Sequence, residues 1–153
     1  MADYKILLTT SGTGSRLGDM TKYTNKGLIR IGKKPGISYI VENYPKDVEF
    51  VVTLGHFGNH VKDFLELAYP DRKFSFVNVN PYKGEGSSLL YSMLCASSEL
   101  NCPFIIHVCD TITFDKIPEP THNWCAGANN LTKNSQYRTH IVSGDKLLKI
   151  NDK

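Results

Sequence analysis

The chain has 153 residues, of which 41% are apolar and 22% charged, and a net charge of +3. That length predicts one domain over residues 1–153, with enough chain to bury a sizeable core. The small net charge gives no footprint for a nucleic-acid partner, no apolar run reaches membrane-spanning length, and the four cysteines form neither a C-x-x-C pair nor a zinc spacing.

Lys5–Thr9 is a short apolar run stopped by hydroxyls and glycines, the pattern of a buried strand. Leu28–Ile31 is predicted extended. Pro35 stands at a helix entry, and Ile37, Ile40, Val41 and Tyr44 follow at i, i+3, i+4, i+7 before Pro45 stops the run. Phe50–Leu54 predicts a second buried strand. Val61, Phe64, Leu65 and Ala68 repeat the helical spacing, and Phe74–Val79 predicts a third strand. Leu90, Met93, Leu94 and Ser97 mark a third helix, and Phe104–Val108 a fourth strand. Asn129–Ser135 is polar loop. Gln136–Val142 and Lys146–Asn151 flank Ser143-Gly144-Asp145, which predicts a β-hairpin. Strand and helix alternating at this rhythm predict an α/β fold with a mostly parallel sheet and a C-terminal hairpin.

In such a sheet, ligands sit outside the carboxyl ends of the strands. Three stretches rich in chemistry fall there: residues 10–17, residues 80–88 and Cys109–Thr111. The first, Thr10-Ser11-Gly12-Thr13-Gly14-Ser15-Arg16-Leu17, has three readings. It is a tight turn and nothing more, because glycine supplies positive φ wherever a turn needs it. It is a dinucleotide loop, since Gly12, Gly14 and Gly18 approximate the glycine fingerprint; the acidic residue expected about 20 positions on is replaced by Lys33 and Lys34. Or it cradles a triphosphate. A P-loop spacing over Gly27–Lys34 lacks the hydroxyl that would hold a metal and is read as coincidence.

The third reading rests on a longer constellation. Gly12, Gly14, Arg16, Leu17 and Thr21, with Lys26 ten residues after Arg16 and then Leu28, resemble the signature A-G-G-x-G-T-R-L-x-P-L-T-x-x-x-P-K-P-L of sugar-phosphate nucleotidyltransferases. These include nucleotide-sugar pyrophosphorylases and phosphocholine cytidylyltransferases. The chain departs from that pattern at Thr10, Ser11, Asp19, Met20, Asn25 and Gly27, three of which replace its prolines. Downstream, Gly32–Ile37, Val51–His56, Gly84–Leu89, Phe104–Asp110 and Tyr137–Lys153 resemble later family segments in the same order.

The resemblance implies a three-layer, Rossmann-like α/β/α fold. It also implies transfer of a nucleoside monophosphate from a nucleoside triphosphate to a sugar 1-phosphate or a small phosphorylated alcohol. In that chemistry Thr10, Ser11, Gly12, Thr13, Gly14 and Ser15 line the triphosphate, and Arg16 and Lys26 neutralise it. Gly84, Gly86 and Ser87 approach the nucleobase. Asp110, a hard donor at a strand end, holds Mg2+; Asp115 is a weaker alternative. His56 and His107 read as packing or surface residues, Tyr82 and Trp124 as core or rim aromatics, and Glu85 as a solvated charge. The family continues past the segment matched here, so the domain is expected to be truncated at its C-terminus. A nucleotide-binding or regulatory module without turnover is the alternative function. With no secretion signal and unpatterned thiols, the expected compartment is the cytoplasm, and a homo-oligomer is left open.

Overall fold

In chain order the elements are β1 (Lys5–Thr9), β2 (Arg30–Ile31), β3 (Lys34–Pro35), α1 (Gly36–Glu42), β4 (Glu49–Leu54), α2 (Gly58–Ala68), β5 (Phe74–Asn78), α3 (Leu89–Cys95), β6 (Phe104–Val108), β7 (Thr139–Ser143) and β8 (Lys146–Asn151). Short 3-10 turns cover Ser15–Thr21, Lys26–Leu28 and Ser97–Glu99. The structure is a computed structural model that describes residues 3–127 and 139–151. It divides into two compact units, Met1–Thr121 and His122–Lys153.

The first unit is built on a parallel sheet ordered β5-β4-β1-β6. Leu7 pairs in register with Val51 on one side and Ile106 on the other. Because side chains alternate along a strand, Ile6, Leu8, Phe50 and Val52 face one way and Leu7 and Val51 the other. All six are fully buried, which is why β1 and β4 read as unbroken apolar runs rather than alternating ones.

The chain first winds outward from β1 to β4 and β5, then returns across the sheet to β6. Right-handed crossovers in opposite directions place their helices on opposite faces. The residues agree. Tyr44, just beyond α1, packs edge-on against Phe50, and Lys62 of α2 lies over the Phe76 ring. On the other face Leu7, Val51 and Ala96 form a buried cluster with Val77, Met93 and Leu100 around them. The reversal leaves a crevice at the carboxyl ends of β1 and β6, the topological switch point of the sheet.

Some predicted stretches differ in detail. The third helix ends before Ser97, and Leu90 and Leu94 of its predicted stripe are exposed while Ser92 is buried. Leu28–Ile31 pairs as strand only at Arg30 and Ile31, although Ile29 is extended too; Lys26–Leu28 turns instead, because the Asn25 side chain caps it by accepting a hydrogen bond from the Gly27 amide. The P-loop-like spacing Gly27–Lys34 runs from that turn into the β2–β3 hairpin, whose own turn carries Gly32 at φ 63°. After the glycine loop there is a 3-10 segment kinked at Gly18, rather than the continuous helix a dinucleotide fingerprint requires.

The second unit contains the predicted antiparallel hairpin, β7 with β8, with Gly144 at φ 56° in its turn. The predicted loop Asn129–Ser135 and the first residues of the hairpin, Gln136–Arg138, lie outside the described residues. Among the described residues no helix is long and apolar enough to cross a membrane.

Buried His107 shows how the strand ends are tied. Its Nδ1 lies 2.8 Å from the Tyr44 hydroxyl and its Nε2 2.8 Å from the Thr111 carbonyl. The carbonyl can only accept, so Nε2 carries the proton and Nδ1 accepts from Tyr44. Burial lowers the His107 pKa below its ordinary value. The folded protein therefore resists protonating a ring that the unfolded chain protonates near pH 6.5. Stability from this group is present above about pH 6.5 and is lost as pH falls below it, by up to ~1.4 kcal/mol per pH unit. Urea unfolding at pH 7.5 and pH 5.5 should show that loss in the wild type and a smaller one in His107→Gln.

Candidate functional site

The loop after β1 begins inside the protein and ends outside it. Thr10 is fully buried: its amide donates to Thr53 Oγ1 at 3.2 Å and its hydroxyl to the Thr53 carbonyl at 2.5 Å. Ser11 is also buried, with Oγ 2.9 Å from Ser92 Oγ on α3. The side chains of both residues thus bind the protein itself. Beyond them the chain surfaces: Gly12, Ser15 and Arg16 are exposed, and Thr13 and Gly14 are half-buried.

Gly14 is where the loop needs glycine. Its φ is 67°, and a Cβ there would lie 2.9 Å from Thr21 Cγ2 and 3.1 Å from Lys26 Cβ. The backbone therefore passes directly against the Lys26 stem. Lys26 in turn donates to Asp110 Oδ2 at 3.0 Å. The pair meets because the residues beside it pack: a Cβ on Gly27 would lie 3.4 Å from Cys109 Cβ. The Cys109 thiol is pushed up to about 11 by burial, so it stays protonated and inert at neutral pH.

Glycine loop, lysine and aspartate therefore form one cluster at the switch point. The Lys26 side chain is 19% exposed and that of Asp110 56%. The second Asp110 oxygen makes no hydrogen bond among the described residues. A half-exposed carboxylate with an oxygen to offer suits Mg2+, which takes one or two carboxylates and completes its shell with phosphate oxygens and water. Among the described residues no group of three or more His, Cys, Asp or Glu converges as an all-protein metal cage.

No hydrogen bond or ion pair among the described residues links the other predicted site residues, Arg16, Gly84, Gly86 and Ser87, to this cluster. Gly84 and Gly86 both have positive φ, 78° and 80°, and the Ser87 hydroxyl donates to the Gly84 carbonyl at 2.6 Å. That turn feeds α3, which Ser88 caps by accepting from the Tyr91 amide. The same loop sends Tyr82 to an open cleft of about 380 Å³ at the ends of β4 and β5, together with Leu54, Gly55, Phe57 and His60. Asp115 lies on an exposed stretch, its carbonyl accepting from Asn43.

Three residues that hold the site together were not signalled as site residues by the sequence. Asn25 is fully buried and bridges three backbone groups. His56 donates its amide to the Ser11 carbonyl and places Nε2 2.8 Å from the Thr21 carbonyl. Gly55 runs so close to the loop that a Cβ would sit 2.4 Å from the Ser11 carbonyl oxygen. A sequence signal exists only for Gly55 and His56, as the glycine and aromatic expected after the second main strand.

No protein-family model and no curated protein matches the chain. Solved structures do. A UDP-glucose pyrophosphorylase complexed with UDP-glucose superposes with a TM-score of 0.58 at 22% identity, over 71% of this chain and 46% of that one. CTP:phosphocholine cytidylyltransferase from Streptococcus pneumoniae gives 0.59 at 21% identity, over 80% and 52%. UDP-glucose pyrophosphorylase from Acinetobacter baumanii gives 0.59 at 16% identity, over 72% and 47%. The fold is therefore sugar-phosphate nucleotidyltransferase-like. The chain spans about half the length of these neighbours.

Proposed function

We propose that the chain carries the nucleotide-binding part of a nucleotidyltransferase, which moves a nucleoside monophosphate from a nucleoside triphosphate to a sugar 1-phosphate or small phosphorylated alcohol. The observation that carries this reading is the convergence of Gly14, Lys26 and Asp110 at the switch point of a nucleotidyltransferase-like sheet. A phosphate oxygen of the acceptor bonds to the α-phosphorus. The bond from that phosphorus to the oxygen bridging toward the β-phosphate breaks, and its electron pair leaves with pyrophosphate.

The reaction crowds negative oxygens around one centre, so catalysis is mostly positioning and charge neutralisation. Backbone amides of Gly12, Thr13, Gly14 and Ser15 approach the phosphates where no bulky side chain intervenes. Lys26 neutralises them from the protein side, and Arg16 offers a planar fork from the exposed side. Asp110 is the residue that would hold Mg2+, which would there supply positive charge against the phosphate oxygens. The nucleobase is assigned to the side of Gly84, Gly86 and Ser87, whose loop also lines the cleft at β4 and β5.

Pyrophosphate release tests the reading, with Mg2+, each of UTP, dTTP, CTP and GTP, and a panel of sugar 1-phosphates and phosphocholine. Release with one triphosphate and a phosphorylated acceptor is expected. Triphosphate binding without release from any acceptor would assign the chain to the non-catalytic nucleotide-binding class instead.

Gly12 separates the phosphate reading from a bare turn. An added Cβ there meets nothing within 4 Å, and its φ is not positive. Gly12→Ala should leave stability within about 0.5 kcal/mol. If the loop cradles phosphates, the same methyl should weaken triphosphate binding about tenfold, as read by calorimetry. Unchanged affinity would mark the loop as a turn at that position.

A further inference from the structure

We propose that Asn25 is the positioning residue of the site, acting through Lys26; this rests on the triphosphate reading above. Asn25 has no solvent exposure, and every polar function of its side chain is engaged. One amide nitrogen donates to the Thr10 carbonyl at 2.8 Å and to the His56 carbonyl at 2.7 Å. Its oxygen accepts from the Gly27 amide at 2.9 Å. Those partners belong to the loop after β1, the loop after β4 and the turn that carries Lys26.

Only a side-chain amide can do this. Two donors must leave one nitrogen toward two carbonyls while an acceptor faces an N–H, which excludes carboxylates, hydroxyls of one donor and all apolar side chains. The Gly27 backbone that Asn25 grips is the same backbone that packs on Cys109, next to Asp110. Asn25 therefore fixes the distance between the glycine loop and Lys26, and sets Lys26 beside Asp110. Its chain neighbour does the chemistry; Asn25 touches no ligand. In the family signature this position is a proline. A ring stiffens the local backbone but carries no donor or acceptor, so tying this turn to the loops at Thr10 and His56 depends here on the three hydrogen bonds.

The backbone offers a clean test. Asn25 has φ −74° and ψ 144°, values a proline adopts, and its own N–H donates to no backbone carbonyl among the described residues. Asn25→Pro thus removes the three side-chain bonds while leaving the chain path feasible, and Asn25→Ala removes them without the ring. Calorimetry on wild type, Asn25→Pro, Lys26→Ala and the double variant would compare a nucleoside triphosphate with its nucleoside monophosphate.

The proposal predicts that Asn25→Pro weakens triphosphate binding about tenfold and monophosphate binding less than twofold. In the Lys26→Ala background the Asn25 change should cost no further triphosphate affinity, because the group it positions is gone. Equal weakening of both ligands, unchanged triphosphate affinity, additive losses in the double variant, or failure of both Asn25 variants to fold would each overturn it. Absence of triphosphate binding by the wild type would instead sink the functional reading, before any variant is compared.

Discussion

Lys26→Ala is expected to lower the proposed nucleotidyl transfer by about 10²–10³-fold, the usual cost of removing one preorganised charge stabiliser. The fold should survive the change. The Lys26–Asp110 pair has one half-exposed partner, and such pairs contribute at most about 1 kcal/mol to stability. A large kinetic loss without a large stability loss is what separates a functional lysine from a structural one. Asp110→Asn completes the comparison. It deletes the carboxylate that would hold Mg2+ while freeing Lys26 from its 3.0 Å partner. Without Mg2+ this variant should bind free triphosphate several-fold more tightly than wild type, and it should lose most of the benefit of adding Mg2+. Weaker binding of free triphosphate by Asp110→Asn than by wild type would mean that Lys26 does not face the phosphates.

Gly55→Ala should be the most damaging methyl added at any of the glycines. The new Cβ would lie 2.4 Å from the Ser11 carbonyl oxygen and 2.7 Å from Tyr82 Cβ. One obstacle is backbone, so relief requires moving the loop after β1 rather than rotating a side chain. Overpacking of this kind costs roughly 3 kcal/mol, or about 6–12 °C in melting temperature for a chain of this size. Because the displaced carbonyl belongs to Ser11, the glycine loop moves with it, and triphosphate affinity should fall alongside stability. Gly12→Ala, one residue further on, adds the same methyl into open space and should do neither harm to stability nor shift the melting temperature by more than about 2 °C. Thermal unfolding of the two variants beside wild type checks the contrast.

The sheet was legible because β1, β4 and β6 are buried on at least one face, so their apolar runs mark strands within a residue of where they form. The first two helices were equally plain, since Ile37, Ile40 and Val41 or Val61 and Leu65 pack one stripe inward. The third forms where its spacing put it, but Leu90 and Leu94 of that stripe are exposed and Ser92 is the residue it buries. Lys26 and Asp110 emerged as a pair only through resemblance. Nothing in spacing alone says that residues 84 positions apart meet at 3.0 Å. Asn25 was legible only as a departure from the signature. Its three hydrogen bonds reach groups at Thr10, Gly27 and His56, and a pattern of residue types carries no record of which carbonyls a folded chain brings together. The roles of Thr10 and Ser11 were hidden for the same reason. Hydroxyls beside glycines suggest ligand contacts, whereas here they are held by Thr53 and Ser92 on other elements.

Whether the switch-point cluster binds a triphosphate is decided by a melting-temperature series against UTP, dTTP, CTP, GTP and NADP, with and without Mg2+, for wild type and Lys26→Ala. A triphosphate at about 100 times its dissociation constant stabilises by ~2.7 kcal/mol. A rise of several degrees is expected, selective for one triphosphate, larger with Mg2+ and largely lost in Lys26→Ala. Stabilisation by NADP alone, or by no nucleotide at all, would contradict it.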